Sequence, residues 1–213
     1  MSDGGLAARV GGSVGAFDRD QWNTLAGADN PFVSYEFLTA LEDSGSVGPG
    51  TGWQATPLVI SEDDGPLVAA MPAYLKGHSQ GEYVFDHSWA EAYMRAGGRY
   101  YPKIQVAAPF TPATGPRLLV AEGPCAAEAR EALIAGLEAL REQVRGSSVH
   151  VTFAQEPDMT ALLEAGFLER HDIQFHWRNE GFGSYDDFLA TLASRKRKAL
   201  KRERREALSA GIA

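Results

Sequence analysis

Cysteine is nearly absent. Cys125 is the single one among 213 residues, which excludes an intramolecular disulfide framework. No apolar run approaches the roughly 18 residues that a membrane-spanning helix needs. The opening stretch MSDGGLAARVGGSVGAF has neither the basic start nor the sustained apolar centre of a secretory signal. These absences place the chain in the cytoplasm. The five histidines are scattered without a His-x-x-x-His spacing, so no metal is expected, and nucleophile elbow, P-loop and dinucleotide fingerprint are all missing. In GPCAAEAREAL the lone cysteine stands at a helix start, where it reads either as a small turn residue or as a thiol of lowered pKa.

What the chain does have is an uneven distribution of charge. It carries 20 Lys and Arg against 28 Asp and Glu, a net charge of −8. Eight of the eleven residues from Arg195 to Arg205 are basic, so a body of net charge −14 is followed by an end of +6. On a helix, Arg197/Lys201, Lys198/Arg202 and Lys201/Arg205 are like charges at i,i+4, each unfavourable by about 0.2 to 0.5 kcal/mol when exposed. Only Arg202/Glu206 offsets them. A charge run of this kind is either a solvated tail or a surface for something anionic: a nucleic acid or nucleotide, a lipid surface or an acidic protein. Against a dedicated DNA reader stand the acidic body and the absence of zinc-finger or helix-turn-helix spacing.

Periodicity divides the chain into a mixed order of elements. A glycine-rich start, residues 1–16, is expected to be flexible. FDRDQWNTLAG and NPFVSYEFLTALEDSG read as amphipathic helices, the second capped by Ser34 and burying Phe37, Leu38 and Leu41. Two β-type runs, Trp53 to Ile60 and Leu67 to Leu75, flank the turn signal Glu62-Asp63-Asp64-Gly65 and predict a hairpin. SWAEAYMRAGG predicts a short helix, and PKIQVAAPF and PRLLVA two extended segments around the bend TPATG. The strongest helix is AAEAREALIAGLEALREQVRG, with Ala129, Leu133, Leu137, Leu140 and Val144 on one face. A strand SVHVTFA, a helix PDMTALLEAG, a strand IQFHWRN and one long helix from Ser184 to Leu208 complete the order ααββαββαβαβα. That order predicts an α/β (α+β) layer fold.

Chemistry concentrates between His78 and Leu119. Asp86-His87 offers a carboxylate beside an imidazole, although adjacent side chains need not pair. Tyr100 and Tyr101 read as strand-edge aromatics, as a ring wall or as proton donors, Lys103 as an anchor for an anionic group or a surface residue, and Arg117 as an anchor for an anionic group. Thr111, Thr114 and Gly115 form a polar bend whose backbone N–H groups can face a ligand. In IQFHWRN, strand alternation places Gln174, His176 and Arg178 on one face, and His176 reads as a base or as a satisfied sheet histidine.

These same residues resemble a known family. NPFVSYEFLTALEDSGSVGPGTGW, the block PAYLKGHSQGEYVFDHSWAEAYMRAGGRYYPKIQVAAPFTPATGPRLL, IQFHWRN and SRKRKALKRERREALSAGI together look like the FemAB-like group of bacterial acyltransferases, in the GNAT (Gcn5-related N-acetyltransferase) superfamily and associated with peptidoglycan biosynthesis. The resemblance covers Asn30 to Ile212. It implies two tandem GNAT-like halves, each a mixed, largely antiparallel sheet flanked by helices. Residues 17–183 would be the first half, and 184–213 a basic connector leading to a second half, with Gly211 closing its helix. The implied function is N-acyl transfer to an amine acceptor such as a cell-wall precursor, with acyl-CoA or aminoacyl-tRNA as donor. His87, Asp86, Tyr101 and His176 would be catalytic, and Lys103, Arg117, Thr111, Thr114 and Gly115 would bind substrate. The Gln/Arg-x-x-Gly-x-Gly/Ala loop that holds the pyrophosphate of coenzyme A in GNAT enzymes is missing from this sequence. The alternatives are a non-catalytic recognition module for an anionic ligand, and nucleic-acid binding through the basic helix.

Overall fold

The computed structural model describes residues 5–62 and 65–209, and it divides into two compact units, 1–171 and 172–213. The first unit begins with β1 (Leu6–Val10), α1 (Arg19–Ala26) and α2 (Tyr35–Asp43). There follow β2 (Trp53–Ala55), β3 (Leu58–Glu62), β4 (Leu67–Met71), β5 (Ala73–Lys76), α3 (His87–Arg95), β6 (Lys103–Val106) and β7 (Leu119–Val120). It ends with α4 (Ala126–Gln143), β8 (Val149–Val151) and α5 (Glu156–Glu164); the second unit holds α6 (Tyr185–Thr191) and α7 (Ser194–Ser209). The result is a mixed α/β fold of two four-stranded sheets, ordered β1-β3-β4-β7 and β2-β5-β6-β8, with helices against them. Every pairing is antiparallel except β6 with β8, which is parallel. Among the described residues no helix is long and apolar enough to cross a membrane.

The predicted hairpin is present but serves both sheets. Each arm is broken once, before Leu58 by Pro57 and before Ala73 by Pro72, because proline has no N–H to give to a ladder. The outer halves pair as β3 with β4, and the inner halves as β2 with β5. Thr56 N–H donates to Ala73 O at 2.8 Å across the break. Asp63 and Asp64 of the turn lie outside the described residues, as does Gly211.

Alternation sorts the strand side chains into two cores. Leu58, Ile60, Ala69, Met71, Ile104 and Val106 meet Ala129, Leu133, Ile134, Leu137 and Leu140 of α4. Val59 and Ala70 point the other way, onto Trp22 of α1 and Leu38 of α2. A sheet covered on both faces has near-continuous apolar strands, which is how LVI and LVAAM read. Asp18 caps α1 by accepting from Gln21 N–H, Ser34 caps α2 by accepting from Phe37 N–H, and Trp22 Nε1 donates to Val33 O at 3.0 Å.

Four expectations need correction. Residues 5–16 are not a frayed lead, since β1 pairs along its whole length with β3 and gains its hydrogen bonds from tertiary contact. Ile173 to Asn179 form no strand: period-2 alternation is present, but a strand exists only where a ladder partner satisfies it, and Phe175 is 98% exposed. The long C-terminal helix is two, because Leu192 adopts extended angles between α6 and α7. The two compact units meet after His171. Cys125 does stand before the first turn of α4, but burial and the neighbouring Glu62 push its thiol up, not down.

Leu133 is fully buried where α4 crosses the sheet. Its replacement by Ala should cost about 2 to 5 kcal/mol in urea unfolding, with the slope unchanged.

Candidate functional site

The ladder of the second sheet creates an electrostatic problem. Lys76 on β5 and Lys103 on β6 are direct register partners, and both are 0% exposed. Like charges directly opposite on a sheet repel, and a buried ammonium without a partner is prohibitive. The loop after β5 supplies the remedy in Glu82 and Asp86, themselves 3% and 2% exposed. Lys103 Nζ donates to Glu82 Oε2 and Asp86 Oδ2, each at 2.7 Å, and to Ser79 Oγ at 3.0 Å, so all three of its N–H bonds are used. Lys76 Nζ donates to Gln80 O at 3.0 Å, stands 3.8 Å from Glu82 Oε1 and lies 3.5 Å above the Trp53 ring. Trp53 Nε1 donates to the same Gln80 carbonyl at 3.1 Å.

Burial treats the members of this quartet differently. It lowers Lys76 to about 7, with the Lys103 charge adding to the effect against the pull of Glu82. It raises Glu82 in spite of Lys103. For Asp86 the hydrogen bonds from Lys103, Ser79 and Tyr100 outweigh burial and bring the carboxyl down to about 2. Asp86 and Lys103 thus form a fixed ion pair, whereas Lys76 and Glu82 are both drawn toward their neutral forms.

The cluster reaches toward solvent along one line. Tyr101 is half-buried, and its hydroxyl shares a 2.7 Å hydrogen bond with Ser79 Oγ, which accepts from Lys103. Tyr100 lies deeper: its hydroxyl donates to Asp86 Oδ2 at 2.7 Å, and burial followed by that carboxylate raises its pKa. His150 packs edge-on to the Tyr100 ring and bonds to Ser148 Oγ; burial and Lys103 lower it to about 4, so it is neutral.

The structure therefore unites Asp86, Tyr100, Tyr101 and Lys103, which the sequence singles out, and adds Lys76, Ser79 and Glu82, which single-residue reading missed. The signal for these was a lysine that closes one apolar run, AYLK, and another that opens the next, PKIQV, with Glu82 and Asp86 between them. His87 is exposed at the start of α3 and outside the buried network. His176 belongs to the second unit, where it is exposed and bonded to Gln174 Oε1 at 3.1 Å.

The bend from Thr111 to Arg117 is committed to the protein's own backbone. Arg117 is fully buried; its Nε donates to Thr152 O, one Nη to Pro116 O and the other to Ala113 O, at 2.7 to 3.0 Å. Its own N–H, with that of Leu118, is taken by buried Asp158. Gly115 N–H donates to Phe153 O, and a side chain there would place a Cβ 1.8 Å from Asn30 Nδ2. Thr111 N–H donates to Ala108 O and its hydroxyl to Pro109 O, while Thr114 is exposed and its carbonyl accepts from Asn30. The expectation that Arg117 anchors an anion is thus corrected: carbonyl oxygens occupy the fork that would grip one.

A family model for FemAB-like proteins of peptidoglycan biosynthesis/recognition matches residues 13–213. A search of curated proteins finds no match. Among solved structures, similarity extends to the aminoglycoside antibiotic 6'-N-acetyltransferase of Acinetobacter baumannii, at 14% identity and a TM-score of 0.47, covering 83% of this chain and 100% of that one. A Trypanosoma brucei acetyltransferase is 17% identical, with a TM-score of 0.44 and coverage of 82% and 100%. The ribosomal-protein-alanine N-acetyltransferase of Brucella melitensis is 14% identical, with a TM-score of 0.45 and coverage of 82% and 99%.

Replacing Lys103 by Met leaves Glu82 and Asp86 facing each other in a dry interior and should cost about 3 to 5 kcal/mol in urea unfolding. A lysine whose folded pKa lies below its unfolded value favours the fold at high pH. The wild type should therefore gain stability as pH rises from about 7 to 9.5, by up to about 1 kcal/mol per pH unit, and Lys76→Met should remove that slope.

Proposed function

Since the chain belongs to the FemAB-like family, we propose that it takes part in transferring an acyl or aminoacyl group to an amine of a peptidoglycan precursor in the bacterial cytoplasm. Such a reaction needs the amine deprotonated, the tetrahedral oxyanion stabilised and a proton delivered to the leaving group. The observation that carries the reading is the chain of hydrogen bonds from Tyr101 through Ser79 to Lys103. It joins a half-buried phenol to a buried ammonium held by two carboxylates.

In this reading Tyr101 is the proton donor, and Ser79, Lys103 and Asp86 are positioning residues that orient its hydroxyl. His87 and His176 are the candidate bases. The donor, acyl-CoA or aminoacyl-tRNA, would be held by a second GNAT-like half joined through α7. Support for donor binding elsewhere comes from the 111–117 bend, whose Gly115 N–H and Arg117 fork already have partners. Thr114, exposed on that bend, would border the acceptor.

Product mass after incubating the protein, within its full natural chain, with a peptidoglycan precursor and either acyl-CoA or charged tRNA tests the reading. Tyr101→Phe should lower kcat by about 10² to 10⁴ with KM little changed, and the same assay on His87→Ala and His176→Ala assigns the base. Absence of product with both donors, alongside retained precursor binding, would establish the recognition module instead.

A further inference from the structure

Seven of the eight basic residues between Arg195 and Arg205, all but Lys196, are sorted by α7 into two faces. Arg197, Lys201 and Arg204, spaced i, i+4, i+7, hold the helix to its own unit. Arg197 donates to Ala190 O and Leu192 O, Lys201 pairs with Asp186 at 3.0 Å, and the Arg204 guanidinium lies 4.5 Å from the Tyr185 ring centre. Arg195, Lys198, Arg202 and Arg205, spaced i, i+3, i+7, i+10, form a second stripe beside Ala199. Of these four, only Arg202 has an ion-pair partner among the described residues, Glu206 at 3.6 Å, and that pair is exposed. All four stripe residues are exposed, and the stripe rises about 15 Å along the axis.

We infer that this stripe is a binding site for the phosphate backbone of a nucleic acid. The inference is independent of the acyl-transfer reading. A row of cations on one helix face, with no apolar residue larger than Ala199 among them, can draw binding energy from charge alone. A protein interface gathers its energy in a desolvated apolar or aromatic centre, which this face lacks. A helix that lies in a lipid surface needs an apolar face, and α7 has no buried residue and few apolar ones. A phosphate polyanion asks for neither, since release of its condensed counterions supplies the free energy. Three of the four cations are arginines, whose planar forks match phosphate oxygens. Lys201 borders the stripe from the anchoring face, while Arg197 and Arg204 keep their contacts away from it.

The test is fluorescence anisotropy of a labelled 20-nucleotide single-stranded RNA titrated with the full chain at several salt concentrations. Four phosphate contacts predict a slope of log affinity against log salt of about −3. The variant R195Q/K198Q/R202Q/R205Q should lose at least tenfold in affinity and most of that slope, and Lys196→Gln, off the stripe, should change neither appreciably. The quadruple variant removes like-charge repulsion, so circular dichroism should show its helix content undiminished, which separates lost contacts from lost folding. An unchanged slope in the quadruple variant overturns the inference. So does tighter, stripe-dependent binding to phosphatidylserine vesicles or to polyglutamate than to RNA.

Discussion

Two lysines facing each other across a sheet ladder, both out of reach of water, set the terms for this fold. Lys76 and Lys103 can coexist only if two carboxylates enter the same dry space, and that requirement dictates the path of the chain from Lys76 to Asp86. It also dictates where α3 begins. Asp86 precedes the first turn, yet its side chain makes no cap and is spent on Lys103 and Tyr100. A helix cap is given up for an ion pair because the desolvation cost of a bare ammonium is by far the larger quantity.

Arg117 solves the same problem differently. Its charge is met mainly by carbonyl oxygens, with Asp158 bound to the backbone of Arg117 and not to the guanidinium. This draws the 113–117 segment onto β8 and its continuation, where Gly115 also bridges to Ala154. The two buried systems together explain why polar residues are so dense in this part of the chain without all being open to a ligand. Phe110 joins them: its backbone takes the left-handed region at φ 58°, its N–H donates to Gly81 O, and its ring lies 5.4 Å from that of Trp53.

Local signals were readable where local physics decides. The Ser34 cap, the glycine after α1, the apolar stripe of α4 and the hairpin arms all follow from a few neighbouring residues. What escaped was set by partners distant in sequence. Leu6–Val10 is a strand because β3 is there to pair with it, and Ile173 to Asn179 is none because no ladder reaches it among the described residues. Lys103 and Asp86 could be picked out as chemically notable, but their joining with Lys76 and Glu82 required the β5–β6 register. Arg117 looked like an anion anchor because a sequence shows the fork without the carbonyls that fill it.

The division of labour on α7 has a bearing on how this protein can change over generations. Substitutions at Arg195, Lys198, Arg202 and Arg205 touch none of the contacts that Arg197, Lys201 and Arg204 make, whereas Lys201 also borders the stripe. Selection can accordingly retune one property of the segment without paying in the other, and descendants are free to inherit the mooring while diversifying what it presents.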